Sequence, residues 1–246
     1  MVGVEHFYLF NNLSDDQYLE VLEPYVQQGI VELFEWNFVP KEHKNWTKVQ
    51  CGAYNTLIKS QGSETFWLAI IDIDEFIVPI KKQDLKDFLK GYERYAGLGI
   101  NWQNYGTSGV YRIPENQTQI GTLTKRAPEK LDRNRFVKSI FQPKKIKNVK
   151  KPHHCIYKKG WFHVTENKKP FAENKSLTDS VSVNKIRINH YTYHDEEFFY
   201  TEKRRRVQEW FPESLPLEMD PNYNEVEDSI MLRYVPELEQ RLFGSD

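Results

Sequence analysis

The stretch Phe66-Trp67-Leu68-Ala69-Ile70-Ile71-Asp72-Ile73-Asp74-Glu75-Phe76 decides the fold expected of this chain. An apolar run enters a group of three carboxylates. Such a run reads as a strand buried on both faces, the kind found in parallel sheets. Side chains two apart on a strand point the same way, which places Asp72 and Asp74 together at the strand's carboxyl end. Open α/β sheets take ligands at that edge, and converging oxygen donors suit a hard divalent cation such as Mg²⁺ or Mn²⁺. A lone Asp-x-Asp usually marks a solvated turn. The apolar run in front of this one argues against that, because a buried unpaired charge is costly.

The flanking sequence has the rhythm of a βαβ sheet. Val4 to Phe10 reads as a strand. Ser14 and Gln17 read as a capping box opening a helix with Leu19, Leu22 and Val26 inward, kinked at Pro24 and stopped at Gly29. Ile30 to Trp36 reads as a second strand. Trp46, Val49, Ala53 and Leu57 have helical spacing over 46–60, ended by Gly62, and a further helix is expected over 83–95. Strand, helix, strand, helix, strand is the grammar of a mainly parallel sheet. Beyond it, 97–102, 110–113, 120–124, 136–141 and 186–191 read as short strands. Residues 142–185 are basic and loop-rich, 196–211 reads as a helix, and 225–243 as a helix broken at Pro236.

No Pro/Gly/Ser-rich linker divides the 246 residues, so one domain is expected. Its parts are a half at 3–95 carrying the acidic strand, a second half at 96–211 and a helical tail at 212–246. A net charge of −1 gives the whole chain no electrostatic preference for nucleic acid. Cys51 and Cys155 form neither a zinc pattern nor a disulfide framework. The N-terminus lacks a signal-peptide pattern, and no run approaches the ~20 apolar residues of a membrane span. A cytoplasmic chain, or one peripheral at a membrane, is the expectation.

Several blocks together resemble glycosyltransferase family 92. They are Gly3-Val4-Glu5-His6-Phe7-Tyr8-Leu9-Phe10-Asn11-Asn12-x-Ser14, then Gln50-x-x-Ala53-Tyr54-Asn55, then Trp67 with Asp72-Ile73-Asp74-Glu75-Phe76. Asn101-Trp102-x-x-Tyr105-Gly106-x-Ser108-Gly109 is similar to the family's W-x-x-F-G-x-S-G segment. Lys138-Ser139-Ile140, His153-His154 and Ile188-Asn189-His190-Tyr191 match later blocks, and a helix containing Lys203 follows. The resemblance spans roughly residues 3–206. It implies a GT-A-like α/β fold with flanking helices and a loop-rich C-terminal half, dependence on Mn²⁺ or Mg²⁺, and transfer of a sugar from a nucleotide donor to a glycan or other hydroxyl acceptor. An inverting hexosyltransferase using UDP-galactose is the leading form by analogy. Two departures stand out. Relatives carry a further strand and helix before Gly3, ending in a motif like E-W-x-x-Y-H, that helps hold the nucleotide base. Relatives also continue toward a Lys-Ser pair where this chain has Thr192-Tyr193-His194-Asp195.

Metal-dependent sugar transfer assigns roles to these residues. A divalent ion stabilises the charge that develops on a departing diphosphate. Asp74 is the first candidate ligand, and Asp72 a ligand or a partner of the ribose hydroxyls. Glu75 points to the opposite face as a hydrogen-bonded support. His190 is either a third ligand or a core histidine. The family match gives Gln50, Asn55, Trp102, Gly106, Ser108, Lys138 and Lys203 to the donor. Each has a plainer reading: helix solvation for Gln50 and Asn55, core packing for Trp102, and a solvated helix face for Lys203 and the arginines after it. His153-His154 and its lysines read either as a solvated loop or as diphosphate contacts. Glu115, Glu129, Asp132 and Asp195 are all eligible general bases, and the sequence does not choose among them. Two other classes compete: a non-enzymatic carbohydrate- or partner-binding domain, and a phosphohydrolase, whose D-x-D-x-T pattern this chain lacks.

Overall fold

The computed structural model describes residues 1–42, 45–81, 84–172 and 175–244. The chain opens with β1 (Phe7–Asn11), α1 (Tyr18–Gln27), β2 (Val31–Glu35), α2 (Trp46–Gln61), β3 (Leu68–Ile70), β4 (Glu75–Pro79) and α3 (Leu85–Lys90). Then come β5 (Gly97–Asn104), α4 (Gln119–Thr122), β6 (Lys125–Arg126), β7 (Val137–Phe141), β8 (Ile146–Lys151), β9 (His154–Tyr157), β10 (His163–Val164) and β11 (Ile186–His190). It closes with α5 (Glu196–Phe198), a π-helical turn at Phe199–Lys203, α6 (Arg204–Trp210), β12 (Val226–Glu227) and α7 (Val235–Phe243).

The main sheet runs β3-β7-β5-β11-β4, with β10 also on β5. β5 is parallel to β11 and β10, while β3–β7, β5–β7 and β11–β4 are antiparallel. β1 and β2 form a separate parallel pair. The architecture is the mixed α/β sheet expected, with a smaller parallel share than the βαβ rhythm suggests. β3 and β4 are consecutive in sequence yet end opposite sides of the strand order. Five Cα steps from Ile70 to Glu75 reach at most about 17 Å, whereas five flat strands span about 19 Å. The sheet therefore curls, and its two edges meet at Asp72–Asp74.

Alternation along β5 and β11 explains the core. Leu98, Ile100, Ile186 and Ile188 are buried and pack with Ile140 and Val164 against Leu85, Leu89 and Tyr92 around α3. The helix at 46–61 matches its spacing, burying Cys51, Ala53 and Leu57. The β8–β9 hairpin lays Ile146, Val149 and Cys155 against it. At the other side, Tyr105, Ile120, Leu123 and Tyr191 receive Met231 and Tyr234.

Several local expectations are corrected. Ser14 does not cap α1: its backbone N–H donates to Asn11 Oδ1, and no side chain caps the helix at Gln17. Leu19 and Val26 are exposed, so the α1 stripe packs against little. Residues 110–113 are irregular, because Val110 O and Ile113 N bond the start of α5 instead of a strand. Residues 120–124 mostly belong to the short helix α4. The C-terminal part packs on the rest of the chain. β12 pairs β6, and the Arg233 guanidinium bonds Pro79 O and Ile80 O. Pro236 lies in the first turn of α7, where its missing N–H costs nothing, rather than breaking a helix. Gln83, the expected start of the third helix, lies outside the described residues.

Candidate functional site

The acidic stretch is not a continuous strand. β3 stops at Ile70, and Asp72 to Glu75 form a turn closed by Glu75 N–H donating to Asp72 O at 3.1 Å. Ile73, in mid-turn, is 95% exposed. The alternation argument for Asp72 and Asp74 therefore fails, and the two carboxylates have different neighbours. Asp72 Oδ1 accepts from Gln50 Nε2 at 3.0 Å, and its Oδ2 from Lys138 Nζ at 2.7 Å. Asp74 Oδ2 stands 3.7 Å from His190 Nε2 and 3.8 Å from Lys203 Nζ. The backbone fixes that second group, since Tyr191 N–H donates to Asp74 O at 2.9 Å.

Glu75 points inward from the first position of β4. Its Oε2 accepts from Asp72 N at 2.9 Å and lies 3.3 Å from Lys138 Nζ, while its Oε1 is buried without a hydrogen bond. Burial pushes its carboxyl up to about 7, with the Lys138 charge opposing and the Asp72 charge adding. Lys138 is 1% exposed, and its ammonium is occupied by Asp72 and Glu75. Lys138, expected at the donor, is engaged here by these two carboxylates. It is an internal counter-ion, charged because the two carboxylates outweigh its burial.

His190 ends β11, and its orientation can be read through a chain of amides. Asn134 Nδ2 donates to Pro128 O and Glu129 O, so Asn134 Oδ1 is the acceptor for Asn104 N and Nδ2. That turns Asn104 Oδ1 toward His190 Nδ1, 3.0 Å away. Assigned from this network, Nδ1 carries the proton, and Nε2 of a neutral ring presents a lone pair toward Asp74. Two acceptors facing each other across 3.7 Å favour a positive charge or a donor between them. Burial raises the Asp74 carboxyl, but the neighbouring His190 and Lys203 bring it down to about 2. Trp102 packs against the same imidazole at a tilt, with ring centroids 4.3 Å apart, stacks on Phe136 and meets His153 edge-on.

These donors fit a divalent cation in part. A carboxylate oxygen and an imidazole nitrogen are acceptable ligands for Mn²⁺. With bonds of about 2.1 Å, two donors 3.7 Å apart can share one ion. Both Asp72 oxygens accept hydrogen bonds, from Gln50 and Lys138. Among the described residues no three His, Cys, Asp or Glu side chains converge on one point. Lys203 Nζ bonds Thr192 O and Thr192 Oγ1, and burial lowers its pKa although Asp74 opposes this.

The other expected donor contacts are placed as follows. Gln50 stands at the site between Asp72 and Tyr54. Asn55 is turned away: its amide donates to Val149 O and accepts from Val149 N, holding β8 on α2. Gly106 and Ser108 sit against Asn224, where a Cβ on Gly106 would overlap the Asn224 amide that caps Ser108 N at 2.7 Å. Tyr105 is wholly buried, bonding Arg187 and Asn189 instead of lining a cleft. Arg204 and Arg205 pair with Glu218, Glu202 and Glu209 on the surface, the plainer of their two readings. Asp195, one eligible base, is engaged as the cap of α5. Burial holds His153 down to about 4. Asn104 and Asn134 were not picked out from the sequence, and Thr192 entered only as part of a departure from the family's pattern. Asn104 lies only two residues before Gly106 in a quoted block, which was the available signal.

The geometry defines a polar site at one edge of a curled α/β sheet, and comparisons supply its class. The family model Glycosyltransferase family 92 matches residues 1–218, and this chain belongs to that family. Glycosyltransferase family 92 proteins of Arabidopsis thaliana, Ricinus communis and Oryza sativa subsp. japonica are 26%, 25% and 27% identical to it. Each alignment covers 84% of this chain but 33%, 34% and 32% of the relative, so the chain spans about a third of their length. The crystal structure of S. aureus TarS 1-349 covers 97% of this chain and 63% of its own, at 11% identity and a TM-score of 0.38, too slight a likeness to argue from.

Proposed function

We propose that this chain is the sugar-transferring part of a GT-A-like glycosyltransferase dependent on Mn²⁺ or Mg²⁺. Its donor is a nucleotide sugar, with UDP-galactose the first to test, and its acceptor a hydroxyl on a glycan or similar molecule. The observation that carries the reading is the facing pair of acceptors, Asp74 Oδ2 and His190 Nε2, with the imidazole oriented by the Asn104–Asn134 amide chain. A cation bound there would supply positive charge for the departing diphosphate. Asp74 and His190 would hold it, and Lys203 at the same edge would add an ammonium for phosphate oxygens. Glu75 and Lys138 would keep the turn in place from beneath. Inversion at the sugar needs a base on the acceptor side, and no residue is assigned to it.

The test is a transfer and donor-hydrolysis assay with a panel of UDP-sugars, with Mn²⁺, with Mg²⁺ and with chelator. Turnover that needs the metal and vanishes in Asp74→Ala supports the reading. Metal-independent turnover, or turnover retained in Asp74→Ala, contradicts it. A second reading, a non-enzymatic binding module, is favoured by one observation. Lys138 and Lys203 already bring ammonium groups to the carboxylates without any ion. That reading predicts no metal-linked affinity for UDP.

A further inference from the structure

Between Lys144 and Lys169 the chain carries nine lysines, no arginine and one carboxylate, although the whole chain has a net charge of −1. The single acid, Glu166, is buried and accepts from the backbone N–H groups of Asn184, Lys185 and Ile186, so it neutralises nothing outside. Lys144, Lys147, Lys150, Lys151, Lys158 and Lys159 are exposed on and beside the β8–β9 hairpin. Their ammonium groups make no ion pair with a carboxylate among the described residues. The hairpin's other face is accounted for, since Ile146 and Val149 are buried with Cys51 of α2.

At the hairpin's open end two adjacent aromatics face outward, Trp161 at 41% and Phe162 at 44% exposure. They are fixed. Trp161 N–H donates to Lys158 O, the Lys145 ammonium lies 4.1 Å from the Trp161 ring centre, and Phe162 O accepts from Ala96 N. Rigid exposed aromatics beside a field of unpaired lysines are the two components of attachment to a charged bilayer. The rings enter the headgroup boundary, and lysines act as point charges for anionic lipids. Nucleic-acid or phosphate recognition would favour guanidinium forks, which this segment lacks.

We propose that the β8–β9 hairpin and the Trp161–Phe162 loop dock this chain on an anionic lipid surface. This is independent of the transfer chemistry. The hairpin's turn, at the end away from Trp161 and Phe162, carries His153, which packs on Trp102 beside His190.

The experiment is co-sedimentation of the full chain with vesicles of phosphatidylcholine alone or phosphatidylcholine plus phosphatidylserine, in rising salt, with a polyuridylate RNA as the competing polyanion. The expected result is binding to the serine-containing vesicles only, weakening as salt rises. At about 1 kcal/mol per lysine, Lys144→Gln/Lys147→Gln/Lys150→Gln/Lys159→Gln binds about a thousandfold more weakly, roughly 4 kcal/mol. Trp161→Ala/Phe162→Ala binds about tenfold more weakly to vesicles. Unchanged thermal midpoints show that both variants fold. Should the double aromatic variant unfold, Phe162→Ala alone keeps the Lys145–Trp161 contact and must still weaken vesicle binding. Absence of vesicle binding overturns the proposal. So does equal binding to both vesicle types, or RNA binding tighter than vesicle binding and indifferent to the aromatic pair, which would make the patch a polyanion site.

Discussion

At the scale of residues, one lysine serves two carboxylates. Lys138 lies 2.7 Å from Asp72 and 3.3 Å from Glu75, and only Asp72 reaches solvent. Removing the buried ammonium strands the Glu75 carboxyl. Lys138→Met should therefore cost about 3–5 kcal/mol of unfolding free energy. Adding Glu75→Gln should recover part of that, because a neutral amide needs no counter-ion. Urea unfolding of the single and double variants measures both; an unaffected Lys138→Met protein would show that the triad carries no stability. The same triad explains how far the sequence could be read. Three carboxylates after an apolar run drew attention to this turn, and Glu75, expected to face away from Asp72 and Asp74, is buried. The buried course of Lys138 was not legible. Its partner Asp72 is 66 residues away, and nothing local distinguishes a buried lysine from a solvated one. The orientation of His190 depends likewise on Asn104, 86 residues earlier, and on Asn134 beyond it.

At the scale of elements, the helix expected over 46–60 and the strands expected over 97–102, 136–141 and 186–191 correspond to α2, β5, β7 and β11; the helix buries a stripe, while the strands are buried along almost their whole length. Periodicity failed where a side chain outbids the local pattern. The strand expected through 66–73 ends at Ile70, since Asp72 N bonds the Glu75 carboxylate rather than a neighbouring strand. Residues 110–113 bond the start of α5. Asn55 belongs to this scale too. Its amide holds β8 to α2 by both donor and acceptor, so Asn55→Ala leaves the Val149 N–H and C=O without those partners. The expected loss is about 1–3 kcal/mol, with faster hydrogen exchange at Val149 and no change in UDP affinity. A loss of UDP affinity with stability intact would return Asn55 to the donor site.

At the scale of the whole molecule, the C-terminal segment closes the fold through Asp228. Its Oδ2 lies 2.5 Å from Arg126 Nε and 2.8 Å from Arg187 Nη2, joining the turn before the 3-10 helix at Ile230–Tyr234 to β6 and β11. Burial works against the charged carboxylate, but Arg187, the Ile230 N–H and Arg126 outweigh it and hold its pKa below the ordinary value of 3.8. A depressed carboxylate stabilises the fold fully above its unfolded pKa, and that stability is lost as pH falls through the folded value. Asp228→Asn should therefore be less stable at neutral pH by about 3 kcal/mol, with a smaller further loss than wild type when titrated below pH 4. Parallel acid limbs for the two proteins would contradict this. The account as a whole turns on whether Asp74 and His190 gather a cation at the edge where the curled sheet meets itself. The direct measurement is calorimetric titration of UDP into the wild-type chain and Asp74→Ala, with and without Mn²⁺. The account predicts UDP affinity that rises with Mn²⁺ in wild type and a response abolished in Asp74→Ala; UDP binding indifferent to Mn²⁺, or equally metal-linked in both proteins, would contradict it.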